Sequence, residues 1–276
     1  MKSQHDWSEI LIHCKQEVQE RIDPYLENLN EPQPDLGKGA GGDLMKPVDL
    51  ASEKAIIEVL RRFGVSFRLI SEESGVKEYG ETPVQCYVTV DPIDGTNNLI
   101  HRIPFYATSI AISFTPLLST VFAALVTDLF HDATYTALSC KGAYCNGEKI
   151  TPSACNSLED AMVGLDLNSF KVEEIAPQLT ALIHETKHIR HFGANALELC
   201  YVADGTTDAF IDIRGKLRTT DMAAAFLILK EAGGIITTPL GGNLNVKLGP
   251  QQTVKFVASG NTRLHKTILS LVKPQC

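Results

Sequence analysis

The sequence predicts a mixed α/β protein in two halves, an N-terminal α+β half over residues 1–151 and a C-terminal α/β half over 152–276. Three observations predict this. Helical periodicities near the N-terminus give way to β-rich runs that continue to about residue 150. Beyond Pro152, strand-like and helix-like runs alternate, as they do when helices cover a sheet. The long uncharged stretch from Ile103 to Thr127 is interrupted by Pro104 and Pro116 and diluted by serines and threonines, so it reads as buried strands.

Taken in order, residues 7–29 put Trp7, Ile10, Leu11, Cys14, Val18, Ile22 and Leu26 at helical spacing, which predicts an amphipathic helix. "EPQPDLGKGAGGDLMKPVD" is rich in glycine and proline and predicts a mobile loop. Ser52 is expected to cap a helix whose apolar face is Ala55, Ile56, Val59, Leu60 and Phe63 and which stops at Gly64. "SFRLIS" and "QCYVTV" read as strands, and each runs directly into acid: Glu72 and Glu73 after the first, Asp91 after the second. "FYATSIAISF" and "TVFAALVTDLF" read as two buried strands joined by a turn around Pro116 rather than as a membrane span. Asn146-Gly147 marks a hairpin. Then follow a strand at "AMVGLDL", a helix from Val172 to Thr186, a strand at "HIRHF", a helix at "NALELCYVADG" and a strand at "DAFIDI". The last predicted element is a helix at "DMAAAFLILKEAGG", with Asp221 as its N-cap and Gly233-Gly234 at its end.

Composition narrows the function. A net charge of −8 argues against nucleic acid and anionic membranes as partners, so an anionic substrate needs locally placed cations or metals. Seven cysteines, an odd count without a C-x-x-C pair, argue against a disulfide framework or a zinc ribbon. Reduced thiols in a cytoplasmic protein are the expectation, and "MKSQHDWSEI" lacks the apolar core of a signal peptide.

Four segments are candidates for chemistry. Gly37, Gly39 and Gly42 satisfy G-x-G-x-x-G, but no strand precedes them and Pro47 follows, so a dinucleotide site is rejected. The loop is either a plain linker or a flap that carries Asp43, Lys46 and Asp49 to a site. Glu72 and Glu73, taken alone, read as a solvated turn. "DPIDGT" is stronger. Pro92 holds Asp91 extended at the strand end, Asp94 follows one turn later, and Gly95 permits positive φ or close approach of a ligand. A short helix from Thr96 then offers unpaired N–H groups to an anion. That turn supplies two carboxylates, the Ile93 carbonyl and an anion cradle. Asp221 alone is a helix cap; gathered with the other acids it becomes a ligand. Clustered carboxylates repel one another unless a cation joins them. Oxygen donors without His or Cys indicate Mg2+ or Mn2+, and paired ions suit a phosphoryl displacement.

With "DPIDGT" followed by "NNLIHRIPFYATSIAI", "SEES" upstream, "TTDMAAAFLILKEAGGII" downstream, and "GAYCNGEKI" and "FGANALELCYVADG" between, the chain resembles the inositol monophosphatase family over nearly its full length. Thr220 stands where the third motif usually has tryptophan. The resemblance implies a layered αβαβα sandwich of the inositol monophosphatase / fructose bisphosphatase type. It implies a lithium-sensitive, cytoplasmic, homodimeric phosphatase of carbohydrate metabolism that uses two or three Mg2+ ions, with Mn2+ as a substitute. Glu72, Asp91 and the Ile93 carbonyl would hold the first ion, and Asp91, Asp94 and Asp221 the second. The glycine-rich flap would close over the site, with Asp43 or Glu73 assisting a third ion. Thr96 with Glu72 would orient the attacking water, and the N–H groups of Gly95 and Thr96 would hold the phosphate. Asp94, Gly193, Ala194 and Asn195 would lie on the substrate side.

Animal-type members carry glutamate seven residues before the third-motif aspartate; this chain has Arg214. Arginine suits a second phosphate, and the surrounding sequence is more similar to archaeal-type members that hydrolyse both fructose 1,6-bisphosphate and inositol 1-phosphate. Arg214 is then expected to bind the far phosphate, with Arg190, Lys216 or Arg218 nearby; the competing reading pairs Arg214 with Asp212 or another surface acid. Two alternatives stand beside a sugar-phosphate phosphatase: a 3′-phosphoadenosine nucleotide phosphatase, and a metal-binding regulatory partner without catalysis.

Overall fold

The first apolar periodicity folds as α1 (Trp7–Glu27), and Trp7, Ile10, Leu11, Cys14, Val18 and Ile22 are its buried stripe. The protein is described by a computed structural model covering residues 5–27, 34, 36–167 and 172–272; the predicted helix end at 28–29 lies outside these residues. The next helix, α2 (Pro47–Arg62), starts five residues before the predicted cap. Pro47 occupies the first turn, where its missing N–H costs nothing, and the Lys46 N–H donates to Asp49 Oδ2 at 3.1 Å. Ser52 therefore lies inside α2, fully buried, and its hydroxyl donates to Pro92 O at 3.0 Å.

Eight strands form the first sheet: β1 (Phe67–Ser71), β2 (Gly75–Tyr79), β3 (Cys86–Asp94), β4 (Ala107–Ser113), β5 (Val121–Asp128), β6 (Thr134–Leu138), β7 (Ala143–Cys145) and β8 (Glu148–Lys149), in the order β2-β1-β3-β4-β5-β6-β7-β8. All seven residues of β4 are buried, because helices cover both faces of the sheet. That explains the uncharged stretch read from the sequence. Asn146 and Gly147 turn the β7–β8 hairpin with positive φ at both positions, as predicted. One pairing matters most for function. β1 and β3 run parallel, with Ser71 opposite Val90, so Glu72 and Asp91 leave neighbouring strands at the same level. β3 does not stop at Asp91, as the sequence suggested, but continues through Pro92 to Asp94 with a register shift against β4. The helix after it is α3 (Thr96–Ile100).

The second sheet contains β9 (Met162–Leu165), β10 (His188–Arg190), β11 (Ala209–Arg218), β12 (Ile235–Thr237) and β13 (Thr253–Ser259), ordered β10-β9-β11-β13-β12. The accompanying helices are α4 (Val172–Glu185), α5 (Asn195–Asp204), α6 (Thr219–Ala232) and α7 (Thr262–Leu271). β12, β13 and α7 follow the last element predicted. β11 is longer than predicted and passes directly into α6, so Asp221 is the third helical residue and not the N-cap.

Three apolar clusters define the layers. α1 and α2 pack on the outer face of the first sheet, α5 and α6 lie between the two sheets, and α4 and α7 cover the second. This is the expected αβαβα sandwich. The central helix approaches both sheets closely through Ala223, Ala224 and Ala225, all fully buried. Ala224→Leu is expected to destabilise the protein by about 1–3 kcal/mol through overpacking, measurable by denaturant unfolding.

Candidate active site

The three separated acids read from the sequence converge. Glu72, Asp91 and Asp221 each present a carboxylate oxygen within 4.8 Å of the others. The parallel register of β1 and β3 supplies the first two, and the first turn of α6 supplies the third. They line a cavity of about 400 Å³ together with Asp43, Glu73, Ile93, Asp94, Gly95, Thr96, Gly193 and Asn195. Asp94 lines the cavity but lies outside the tight trio. Its Oδ2 accepts the Ala196 N–H at 2.6 Å and so anchors the start of α5. Thr220, at the position where tryptophan is usual, donates its hydroxyl to Asp221 Oδ1 at 2.7 Å.

The electrostatics fit a cation. Burial, reinforced by the neighbouring Asp221, pushes the Glu72 carboxyl up to about 9. Burial raises Asp91 and Asp94 well above the ordinary carboxylate range, and nearby acids add to both. Such groups hold protons unless positive charge replaces them. The cavity lining offers oxygen donors without a His or Cys, the donor set of a hard divalent ion.

Thr96 lines the same cavity as Glu72, and its hydroxyl has partners of its own. Its hydroxyl lies 3.2 Å from Asp49 Oδ1 and 2.8 Å from Ile93 O, and it donates to these acceptors. Asp49 is 2 % exposed, and burial pushes its carboxyl up to about 7. In the sequence, Asp49 stands out only as a residue that the glycine loop could carry to a site. The signal available was its place three residues after Lys46 in a Pro-initiated helix, but nothing local connects it to Thr96, 47 positions away.

Residues 39–43, the stretch expected as a flap, pack against the residues that follow β1. The Gly41 N–H donates to Glu72 O at 2.7 Å, and the Ala40 N–H to Glu73 O at 2.9 Å. A Cβ on Gly41 would lie 2.8 Å from Glu72 Cγ, and one on Gly39 2.9 Å from Glu73 Oε2. Close approach is therefore what these glycines permit. Asp43 on the flap pairs with Arg218 Nη1 at 2.7 Å.

On the substrate side, Gly95 adopts φ +88°, and a Cβ there would lie 3.0 Å from Ala194 Cβ. Ala194 is accordingly buried behind the turn, while Gly193 and Asn195 face the cavity. Two predicted cations are placed differently. Arg190, at the end of β10, donates to Ile189 O at 2.9 Å and lines neither this cavity nor its neighbour. Arg214 borders the neighbouring cavity of about 430 Å³ but is held between Asp166 Oδ2 at 2.5 Å and Asp212 Oδ2 at 2.6 Å, with its side chain 8 % exposed. The competing expectation, pairing with Asp212, describes its position.

A sequence profile described as the inositol monophosphatase family matches residues 3–275. The chain is 32 % identical, over 97 % of its length and 96 % of the other's, to a fructose-1,6-bisphosphatase/inositol-1-monophosphatase of Methanothermobacter thermautotrophicus. It is also 32 % identical to a bifunctional NADP phosphatase/NAD kinase of Methanococcus maripaludis, over 96 % of this chain and 49 % of that one. The crystal structure of a gene product described as an inositol monophosphatase-fructose 1,6 bisphosphatase superposes with a TM-score of 0.84 at 31 % identity, covering 97 % of this chain and all of the other.

Proposed function

The chain belongs to the inositol monophosphatase family, and from that premise we propose that it is a Mg2+-dependent phosphatase of sugar or polyol phosphate monoesters, namely fructose 1,6-bisphosphate, inositol 1-phosphate or both. The observation that carries this reading is the convergence of Glu72, Asp91 and Asp221 within 4.8 Å, beside the Gly95–Thr96 turn. Glu72, Asp91, Asp94, Asp221 and the Ile93 carbonyl would hold two ions, Mg2+ or Mn2+, and Asp43 or Glu73 would assist a third. Ions bound there supply Lewis-acid activation of a water and charge neutralisation of the ester. The chain's own groups do the rest. Gly95 and Thr96 N–H groups hold the phosphate, Gly193 and Asn195 bound the leaving-group side, and Thr96 orients the water. Asp49, with its carboxyl near 7, takes up the proton through the Thr96 hydroxyl. Asp49→Asn is expected to lower kcat by about a hundredfold, with little change in Mn2+ affinity. Near-normal kcat in single-turnover assays would remove Asp49 from this role.

Arg214 supports a refinement. Its guanidinium already serves Asp166 and Asp212, so a bisphosphate's far group gains less from it than the sequence suggested. Arg214→Ala is expected to cost about 3–5 kcal/mol of stability by taking the guanidinium away from two buried acids, and to raise KM equally for fructose 1,6-bisphosphate and inositol 1-phosphate. A selective rise for the bisphosphate would restore the far-phosphate role. The same observation keeps a nucleotide monoester, a 3′-phosphoadenosine compound or NADP, as the second reading. Phosphate release from a panel of these four substrates with Mg2+ decides between them. No release from any of them would favour a non-catalytic metal-binding partner. We further infer a lithium-sensitive cytoplasmic homodimer that needs neither nucleic acid nor membrane; among the described residues no helix is long and apolar enough to cross a membrane.

A further inference from the structure

A guanidinium sits where the acids meet. Arg218, the last residue of β11, directs Nη1 to Asp43 Oδ2 at 2.7 Å, Nη2 to Glu72 Oε1 at 2.7 Å and Nε to Asp221 Oδ1 at 3.4 Å. These acceptors belong to three elements: the flap, the end of β1 and the first turn of α6. The side chain is only 18 % exposed, and a Cβ on Gly41 would come within 2.9 Å of Nη1, so the flap glycine leaves room for the fork. A planar guanidinium presents five donors in fixed directions and can serve three carboxylates at once, which an ammonium on a flexible stem does less well. Two of its partners, Glu72 and Asp221, are the acids assigned above to divalent ions. A guanidinium and an ion draw on the same carboxylate lone pairs.

We infer that Arg218 is an internal cation that competes with divalent ions for Glu72 and Asp221 and, through Asp43, ties the flap to that competition. This inference rests on the assignment of those acids as ion ligands. Arg218 is thus a positioning residue with two opposed effects. Its positive charge relieves repulsion among the acids when ions are stripped away, and its hydrogen bonds weaken ion binding because they must be given up. A buttress that merely orients the carboxylates for ions would have the reverse effect on affinity, so the sign of the change separates the two roles.

The test uses the full chain stripped with chelator and titrated with Mn2+ in a calorimeter. Arg218→Gln is expected to lower the Mn2+ Kd by about tenfold. It is also expected to lower Tm in EDTA, with the deficit closing at saturating Mn2+. Trypsin cleavage after the exposed Lys38, at the base of the flap, should accelerate several-fold in the variant. An unchanged or raised Kd overturns the competition while leaving the ligand assignment intact. Unchanged cleavage overturns the link to the flap. Absence of Mn2+ binding to the wild type overturns both the inference and the ligand assignment beneath it. Should the glutamine variant fail to fold, Arg218→Lys keeps the charge and loses the fork: a Kd below wild type supports the inference, and a Kd at or above it overturns the inference.

Discussion

Asp91→Asn is expected to lower kcat by about a thousandfold or more, and at the same time to raise the stability of the chelator-treated protein by about 1–2 kcal/mol. The two effects have one cause. Asp91 is 2 % exposed and faces Glu72 and Asp221, so burial and like charge both disfavour its ionised form. An amide of the same shape removes the repulsion and can donate to a neighbouring carboxylate. It also removes the charge that an ion requires. Phosphate-release kinetics and denaturant unfolding in EDTA measure the two halves separately. Near-normal turnover would sink the site assignment. Lost turnover together with lost stability would mean that Asp91 holds the strand end by bonds an amide cannot replace.

Asp94→Asn provides the contrast. Asp94 Oδ2 accepts the Ala196 N–H at 2.6 Å, and that carboxylate fastens the start of α5 to the end of β3. Turnover should fall here too, but without the gain in stability, because an asparagine keeps only one acceptor oxygen and presents a donor on the other side.

These differences bear on how far the sequence alone can be read. From the sequence, Asp91 and Asp94 stand out in the turn after "QCYVTV", whereas Glu72 alone reads as a solvated turn and Asp221 alone as a helix cap. Their convergence depends on the parallel register of Ser71 with Val90 and on the direct passage of β11 into α6, and neither is local. Pro47 reads as loop punctuation in the sequence but is a first-turn residue, so α2 starts earlier than its apolar pattern implies. Asp221 reads as a cap from the sequence because Thr219 and Thr220 do not look helical until β11 delivers them into the first turn. Arg214 shows the same limit in electrostatic form. Asp212 was visible two residues away, but Asp166, which completes the clamp, arrives from the residue just after β9. Local pattern therefore singles out the Asp91–Asp94 turn, and the family resemblance adds Glu72 and Asp221 as ligands. The side-chain partners that set their behaviour, Asp49 for Thr96 and Arg218 for Glu72, come from elements far apart in the chain.

The other large effect concerns pH and metal together. In EDTA, stability is expected to fall as pH rises from about 4.5 to 9, and Mg2+ should abolish much of that fall. The sign follows from the raised carboxyls: Asp49 is pushed up to about 7, Glu73 to about 8 and Glu72 to about 9, burial being the leading cause for each. Below the unfolded values, near 4, both states are protonated and the contribution to stability is complete. Between the unfolded and folded values the native state binds more protons than the unfolded chain, so raising pH favours unfolding until the folded values are passed. Divalent ions act in the opposite sense. Their ligands must be deprotonated, so affinity strengthens over the same interval, and at 1,000 times Kd the ion contributes about 4 kcal/mol. Melting curves collected with EDTA and with Mg2+ should therefore diverge as pH increases, by roughly 2–4 °C for each kcal/mol. Parallel curves would mean that the acids lose their protons without help from an ion, and that the burial which raises them does not couple this site to a metal.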